Sequence, residues 1–439
     1  MINRWLFTQI DNSALIVFRV IFGFLIMLEA VGAIFTGWIE RTLIAPKFTF
    51  NFIGFDFLQP LPGNGMYYYY AIMGVFGFLV TIGYKYRWSM AGYAIMWGGV
   101  YFMQKTSYNN HYYLLLLLCI VMLLLPAADY FSVDSKQHPE KEKTYMPRWC
   151  VLIIIAQLWI VYTYASVAKL YPDWIDGTVP KNLMAARAYY PVIGAWLQAG
   201  WVRYCIAYTG ILFDLLVIPL LLWRRTRFAI FIVSIFFHLF NSIVFQIGIF
   251  PYLSLGFTVF FFSKERIHRL FLKKKPFYTD NKLQIPSYNK FLIAALSIWL
   301  LIQIALPLRH WLIPGDVLWT EEGHRLSWRM MLRSRSGHTK FYIVDKNIPN
   351  AERELIDKSH FLSKKQFRTV ASKPDAMWQF AQRIKAAYAT QGRDIAVYVE
   401  SEVSINGKPR KKFIDPNVDL ASVSWNYFTT NPWIIKYDK

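Results

Sequence analysis

The sequence predicts a polytopic α-helical membrane protein of about nine transmembrane helices, carrying a small C-terminal extramembrane α+β domain. Three observations predict it. The 439 residues are 55% hydrophobic and 18% aromatic, a balance unlike that of ordinary soluble domains. Long apolar runs recur through the first 307 residues, and a helical span needs about 20 such residues. Lys and Arg, which give a net charge of +21, gather in short segments between those runs. Membrane proteins carry their orientation in this way, so the basic balance argues against nucleic acid as a partner.

The apolar runs lie near 14–36, 67–84, 89–105, 111–127, 150–168, 205–223, 227–247, 250–262 and 291–307. The first is long enough to span and has no clear small-residue cleavage site, so it reads as a span and not as a signal peptide. The eighth is short and opens with Pro251, the mark of a partial or broken span. With the N-terminus in the cytoplasm, the most basic segments all fall inside: Lys85 and Arg87, the 128–149 loop, Arg224 to Arg227 and the 263–290 loop. That satisfies the positive-inside rule and asks for an odd number of crossings. A cell (inner) membrane protein with an extracytoplasmic C-terminal domain is therefore expected, divided as 1–307 and 308–439.

On the outer side, Pro60-Leu-Pro-Gly-Asn-Gly65 marks a turn in the 37–66 connection,. Segment 169–204 is expected to hold two short interfacial helices, near 180–188 and 191–199, each opening near a proline. Beyond 308 the pattern changes. Alternation over 340–345 and 395–404 predicts strands, and Asn406-Gly407 predicts a hairpin into 411–415,. Helical spacing over 374–391 completes the α+β reading.

Three constellations are candidates for chemistry. Lys169 stands where an apolar run meets an aqueous turn. Position alone favours a snorkelling lysine, but a lysine at the mouth of a low-dielectric site is also one that desolvation can hold neutral. Asn109, Asn110 and His111 open the fourth run, as a polar-group binder or as a helix cap beside an interfacial histidine. His238, Asn241 and Ser242 share one helix face, where polar groups either join helices or line a cavity. Arg19, Glu29 and Asp214 are further charges within apolar runs. Arg19 is expected to pair with Glu29 or Asp214. The three cysteines, Cys119, Cys150 and Cys205, have no metal-ligand spacing and read as small buried hydrophobes. No metal is predicted, and motifs of soluble nucleotide-binding, zinc-hydrolase and serine-hydrolase enzymes are missing.

Several of these motifs, taken together and in order, resemble the vitamin K-dependent gamma-carboxylases and the bacterial proteins that share their membrane domain. They are Ala165-Ser-Val-Ala-Lys169-Leu-x-x-Asp173-Trp174, Lys105-Thr-Ser-x-Asn109-Asn110-His111 and His238-x-x-Asn241-Ser242 with Phe245, Ile247, Gly248 and Phe250 following. Phe18-Arg19, Pro60-Leu-Pro62, Ser327-Trp-x-Met-Met331, Arg333-Ser-Arg-Ser336 and Asp415-Pro-x-Val-Asp419 extend the likeness over most of the chain.

The resemblance implies an enzyme using a reduced vitamin K or menaquinol with O2 and CO2. In that family a lysine base deprotonates the hydroquinone, oxygen adds, and rearrangement gives a strong alkoxide base and finally the quinone epoxide. The alkoxide removes a γ-proton from a peptide glutamate, and the carbanion attacks CO2. Lys169 matches the lysine, and His111 with Asn110 match a functional pair, so these three are the catalytic candidates. His238, Asn241, Ser242 and His310 are the cofactor-binding candidates. Membrane lipid, quinol and a glutamate-bearing protein or peptide are the implied partners. Two departures open alternatives. The chain stops near 439, short of the region with which the animal enzymes grip a propeptide, and it lacks their cysteine pair. A quinol epoxidase without peptide carboxylation, or a lipid-binding protein that keeps the fold, are the other readings.

Overall fold

The computed structural model describes residues 2–437. All nine apolar runs are helical, because in an apolar medium a helix satisfies its own backbone polar groups. Six of these helices are long and apolar enough to cross a membrane: Ser13–Phe35, Gly65–Ile82, Trp149–Val167, Val202–Leu222, Arg227–Phe245 and Asn289–Trp311. Length and composition thus single out six helices and do not by themselves confirm the expected count of about nine. Asn110–Leu124 and Phe250–Phe261 are too short. Tyr86–Met103 carries Arg87, six aromatic residues and two adjacent glycines, which lower its hydropathy.

Helix Ser13–Phe35 is the centre of the bundle. It lies against Gly65–Ile82 with backbones nearly touching. A Cβ on Gly23 would stand 2.5 Å from the Thr81 nitrogen, and one on Gly77 would stand 2.7 Å from the Met27 nitrogen. Small residues at such crossings let helices gain dispersion contact where no hydrophobic force drives them together.

The connections sort to two ends. At one end, Gln9–Asp11 pairs antiparallel with Tyr145–Pro147, and Thr8 bridges to Leu283. Asp11 there accepts from Lys275 at 3.0 Å, and Ser13 Oγ lies 2.6 Å from His268 Nε2. Arg19 is buried at the same end, and its guanidinium donates to the Ala127 and Phe131 carbonyls at 3.2 and 2.7 Å. Its expected pairing with Glu29 or Asp214 does not occur. Free carbonyls at a helix terminus lie within its reach, whereas both carboxylates have other neighbours.

At the opposite end sit the 37–66 connection, the short helices Thr178–Ala185 and Ile193–Leu197, and the C-terminal domain. Four antiparallel strands form that domain's sheet, in the order Glu354–Leu355, Arg335–Asp345, Ile395–Ile405, Lys411–Lys412. Asn406, at φ +55°, and Gly407 make the turn between the last two. Helix Pro374–Ala389 covers one face, burying Met377, Phe380 and Ile384 against Phe341, Val397 and Val399. Helix Lys364–Val370, capped reciprocally by Ser363 and Gln366, completes it,. The domain is fastened to the bundle through buried charge. Asp375 lies 2.5 Å from Lys105 Nζ and 2.7 Å from Arg325 Nη1.

Candidate functional site

Helix Trp149–Val167 ends in a tight turn that Pro172 and the helix Pro172–Ile175 close. Ser166 Oγ donates to the Ile211 carbonyl at 2.9 Å, locking this turn against helix Val202–Leu222. Trp174, buried beneath it, donates its indole N–H to the Ala207 carbonyl at 3.1 Å. These two bonds fix the register that brings Lys169 opposite Asp214. The Lys169 ammonium forms a short salt bridge to Asp214 Oδ2, donates to the Ala165 carbonyl at 3.0 Å, and lies 5.6 Å from the Trp174 ring centroid. Lys169, read from its position as either a snorkelling lysine or one held neutral by desolvation, is half of a buried ion pair.

The pair faces a cavity of about 530 Å³. His111 and His238 face the same space from other helices, with Phe250 between them. The His111 ring stacks on Phe250 at a 4.0 Å centroid distance, and His238 meets the same ring edge-on at 6.4 Å. His238 Nε2 lies 3.3 Å from the Tyr162 hydroxyl, while its buried Nδ1 has no partner among the described residues. Asn241 lines the cavity where helix Arg227–Phe240 widens into a π turn over Asn241–Phe245, a distortion often found at functional sites. Most of the remaining wall is aromatic or aliphatic. Trp196, Trp201 and Phe236 mark its mouth, and they are 49%, 55% and 71% exposed on the surface of the bundle. Met330 and Met331 close it from the C-terminal side.

Other candidates lie elsewhere. Asn110 braces the closing segment: its amide donates to the Arg329 carbonyl at 3.2 Å and its oxygen accepts from Tyr108 at 2.9 Å. Asn109 caps the helix by accepting from the Tyr112 N–H at 2.7 Å. Ser242 is outside the cavity, 3.0 Å from the Tyr252 hydroxyl. His310 lines a separate groove, with Nδ1 2.7 Å from the Pro307 carbonyl and Nε2 3.3 Å from Arg329 Nη1. Cys119 and Cys150 are buried as expected, but Cys205 is exposed and faces the cavity. Sequence reasoning marked Asp214 only as a structural charge. The available signal was an intramembrane carboxylate on a run facing the run that carries the lysine. Met330 and Met331 stood out in the sequence only through the Ser327-Trp-x-Met-Met331 motif, and the tryptophan mouth had no local signal. Among the described residues, no cluster of three His, Cys, Asp or Glu could hold a metal ion.

A sequence model of the HTTM domain matches residues 7–265, more than half of the chain, and one of the vitamin K-dependent gamma-carboxylase lumenal domain matches residues 288–439. The chain belongs to the vitamin K-dependent gamma-carboxylase family. No solved structure matches it. This carboxylase-family membrane protein has vitamin K as the cofactor that its family implies, and the cavity can be tested for it. A fused aromatic ring system needs a pocket of a few hundred Å³, mostly apolar, with a few convergent polar groups. The aromatic walls, the Lys169–Asp214 pair and the unpartnered His238 Nδ1 meet that description. The mouth at the bundle surface suits a ligand arriving from lipid.

Proposed function

We propose that this protein is a quinol-dependent carboxylase of the membrane, in which Lys169 is the base that takes a proton from the bound hydroquinone. The observation that carries the reading is the Lys169–Asp214 pair facing an apolar cavity beside His111 and His238. Reduced vitamin K, when bound, is oxidised by O2 to the epoxide and so supplies the strong base that lets CO2 add to the γ-carbon of a glutamate.

The chain's own residues hold the proton and exclude water. Asp214 Oδ2, in direct contact with Lys169 Nζ, is the group placed to take up the proton that frees the amine. The amine then holds a lone pair for the ligand hydroxyl, within a shared hydrogen bond. His238 Nδ1 and the Asn241 amide orient oxygen atoms of the ring. His111, held flat on Phe250, stands on the opposite wall as a second proton-handling group. Asn110 acts through the backbone it braces, as a positioning residue. The bundle of residues 1–307 carries this chemistry, and the outer domain of residues 308–439 closes it and faces the extracytoplasmic side.

Purified protein supplied with reduced vitamin K, oxygen, a glutamate peptide and labelled CO2 tests the reading. Epoxide and fixed CO2 are both expected, and Lys169→Ala is expected to lower both by about 10²–10⁴-fold, the usual worth of a general base. Epoxide without fixed CO2 would leave only the epoxidase half. Epoxide formation unchanged in Lys169→Ala would sink the assignment of the base.

A further inference from the structure

Behind the apolar cavity lies a groove of about 930 Å³ between the outer end of the bundle and the C-terminal domain. Two chain segments form the partition between them. In the first, Lys169 faces the cavity, whereas Leu170 and Tyr171 face the groove. In the second, Met330 and Met331 face the cavity, whereas Ser327 and Arg329 face the groove. The segments are tied together by a bond from the Tyr171 hydroxyl to the Leu332 carbonyl. The second is also held from the bundle by Tyr108, whose hydroxyl accepts from the Leu326 N–H at 2.7 Å, and by Asn110. Leu326, Trp328 and Met331 all adopt positive φ, at 60°, 53° and 53°. Such strain persists only where the surroundings impose it.

Arg329 is the unusual residue of this partition. It is only 9% exposed, and its Nε has no partner among the described residues. The neighbouring arginines all have carboxylates: Arg325 has Asp375, and Arg333 and Arg335 share Glu321. Among the described residues Arg329 has none within salt-bridge distance, and its one side-chain hydrogen bond is with His310 Nε2 at 3.3 Å. With Nδ1–H given to the Pro307 carbonyl, His310 is a neutral acceptor. Asp316 lines the groove but is engaged in capping the Leu318 N–H at 2.9 Å, and Asp173 is paired with Lys408 at 2.8 Å. Asp316 and Glu321 act on Arg329 only from beyond contact distance. A buried guanidinium with no carboxylate in direct contact is costly, and its planar fork suits a carboxylate. The groove wall opposite comes from Lys408, Pro409 and Lys411 of the C-terminal domain, so its occupant lies in water beyond the spans.

We propose that this groove binds an acidic peptide segment and that a carboxylate of the segment pairs with Arg329. The proposal rests on the carboxylase reading and adds the place where the substrate is held, one partition away from Lys169. A lysine-edged rim would draw such a segment in and make its binding salt-dependent.

The test uses the full chain in nanodiscs of zwitterionic lipid, with a fluorescent glutamate-containing peptide and the same peptide carrying glutamines. Neither quinol nor oxygen is added, so binding is read independently of the reaction. The glutamate peptide is expected to bind at least about tenfold tighter than its glutamine twin, with the difference shrinking in high salt. Arg329→Gln is expected to remove most of that difference and Arg329→Lys to keep part of it. Binding of a quinone analogue measured in parallel reports whether each variant is folded. Equal binding of the two peptides by the unaltered protein overturns the proposal. So does an unchanged preference in a folded Arg329→Gln variant. An Arg329-dependent anionic phospholipid seen by native mass spectrometry, with no peptide binding, assigns the groove to a headgroup and also overturns it. Peptide binding without carboxylation would instead fault the reaction reading and leave the groove standing.

Discussion

Lys169 and Asp214 face each other inside apolar walls, where a lone ammonium is costly and a paired one is tolerated. Asp214 holds the lysine in place, and in the proposed mechanism it also receives the lysine's proton. Asp214→Asn preserves an acceptor for Lys169 Nζ but removes the proton-accepting carboxylate. Epoxide formation is expected to lose about 10²-fold in kcat, with the KM for quinol little changed and Asp214→Glu restoring part of the rate. A loss of quinol affinity alone, with kcat intact, would make Asp214 a packing residue. The sequence made both residues visible as charges in apolar runs, yet not their pairing. Hydropathy shows which helices exist, and side-chain pairing depends on the rotation of one helix against another, which Ser166 and Trp174 set here. His111 and His238 line the cavity, whereas Ser242 and His310 lie outside it. A polar residue in an apolar helix demands a partner, and the sequence does not say whether that partner is a ligand, a Tyr252 hydroxyl or an arginine.

At the scale of elements, the C-terminal domain was readable where the period was clear. The strands near 340–345 and 395–404, the Asn-Gly turn and the helix near 374–391 all form. The capping signal Ser363-Lys-Lys-Gln366 was present and passed over, because the helix after it has only seven residues. What no local pattern announced is the junction. Burial alone would raise the Asp375 carboxyl, but Arg325 and Lys105 outweigh it and hold it well below the ordinary carboxylate range. Burial in turn pushes the Lys105 ammonium down to about 8 in spite of Asp375. A carboxyl depressed in the folded state contributes stability in full above its unfolded value of about 3.9, and that contribution is lost as pH falls towards the folded value. The junction is thus expected to loosen progressively below about pH 4. Asp375→Asn, which leaves two buried cations facing a neutral amide, is expected to cost about 3 kcal/mol at neutral pH. Hydrogen exchange at 104–110 and 372–380 checks it, and protection unchanged in the variant would show that the charges are not what fastens the domain.

On the scale of the whole molecule, the two ends of the bundle differ in covering. One gathers the N-terminal strand, Arg19 and the loops carrying Lys143, Arg148, Lys275 and Lys282. The other carries the C-terminal domain and the groove. The short basic loops that meet at the first end were legible in the sequence as Lys/Arg clusters between apolar runs,. The number of full crossings was not, because short helices such as Phe250–Phe261 are stabilised by neighbours and need not match a bilayer by themselves,. Orientation follows if the basic end faces the cytoplasm. With Cys205 replaced by Ser, Lys274→Cys and Arg410→Cys place single exposed thiols at the two ends. A membrane-impermeant maleimide is expected to label Arg410→Cys in intact cells and Lys274→Cys only after the membrane is opened. The reverse pattern would turn the molecule over and put the peptide groove in the cytoplasm. Labelling of both thiols in intact cells would mean an even number of full crossings between residues 274 and 410, so that helix Asn289–Trp311 does not cross. The positive-inside argument would then fail at the span that carries the outer domain to its side of the membrane.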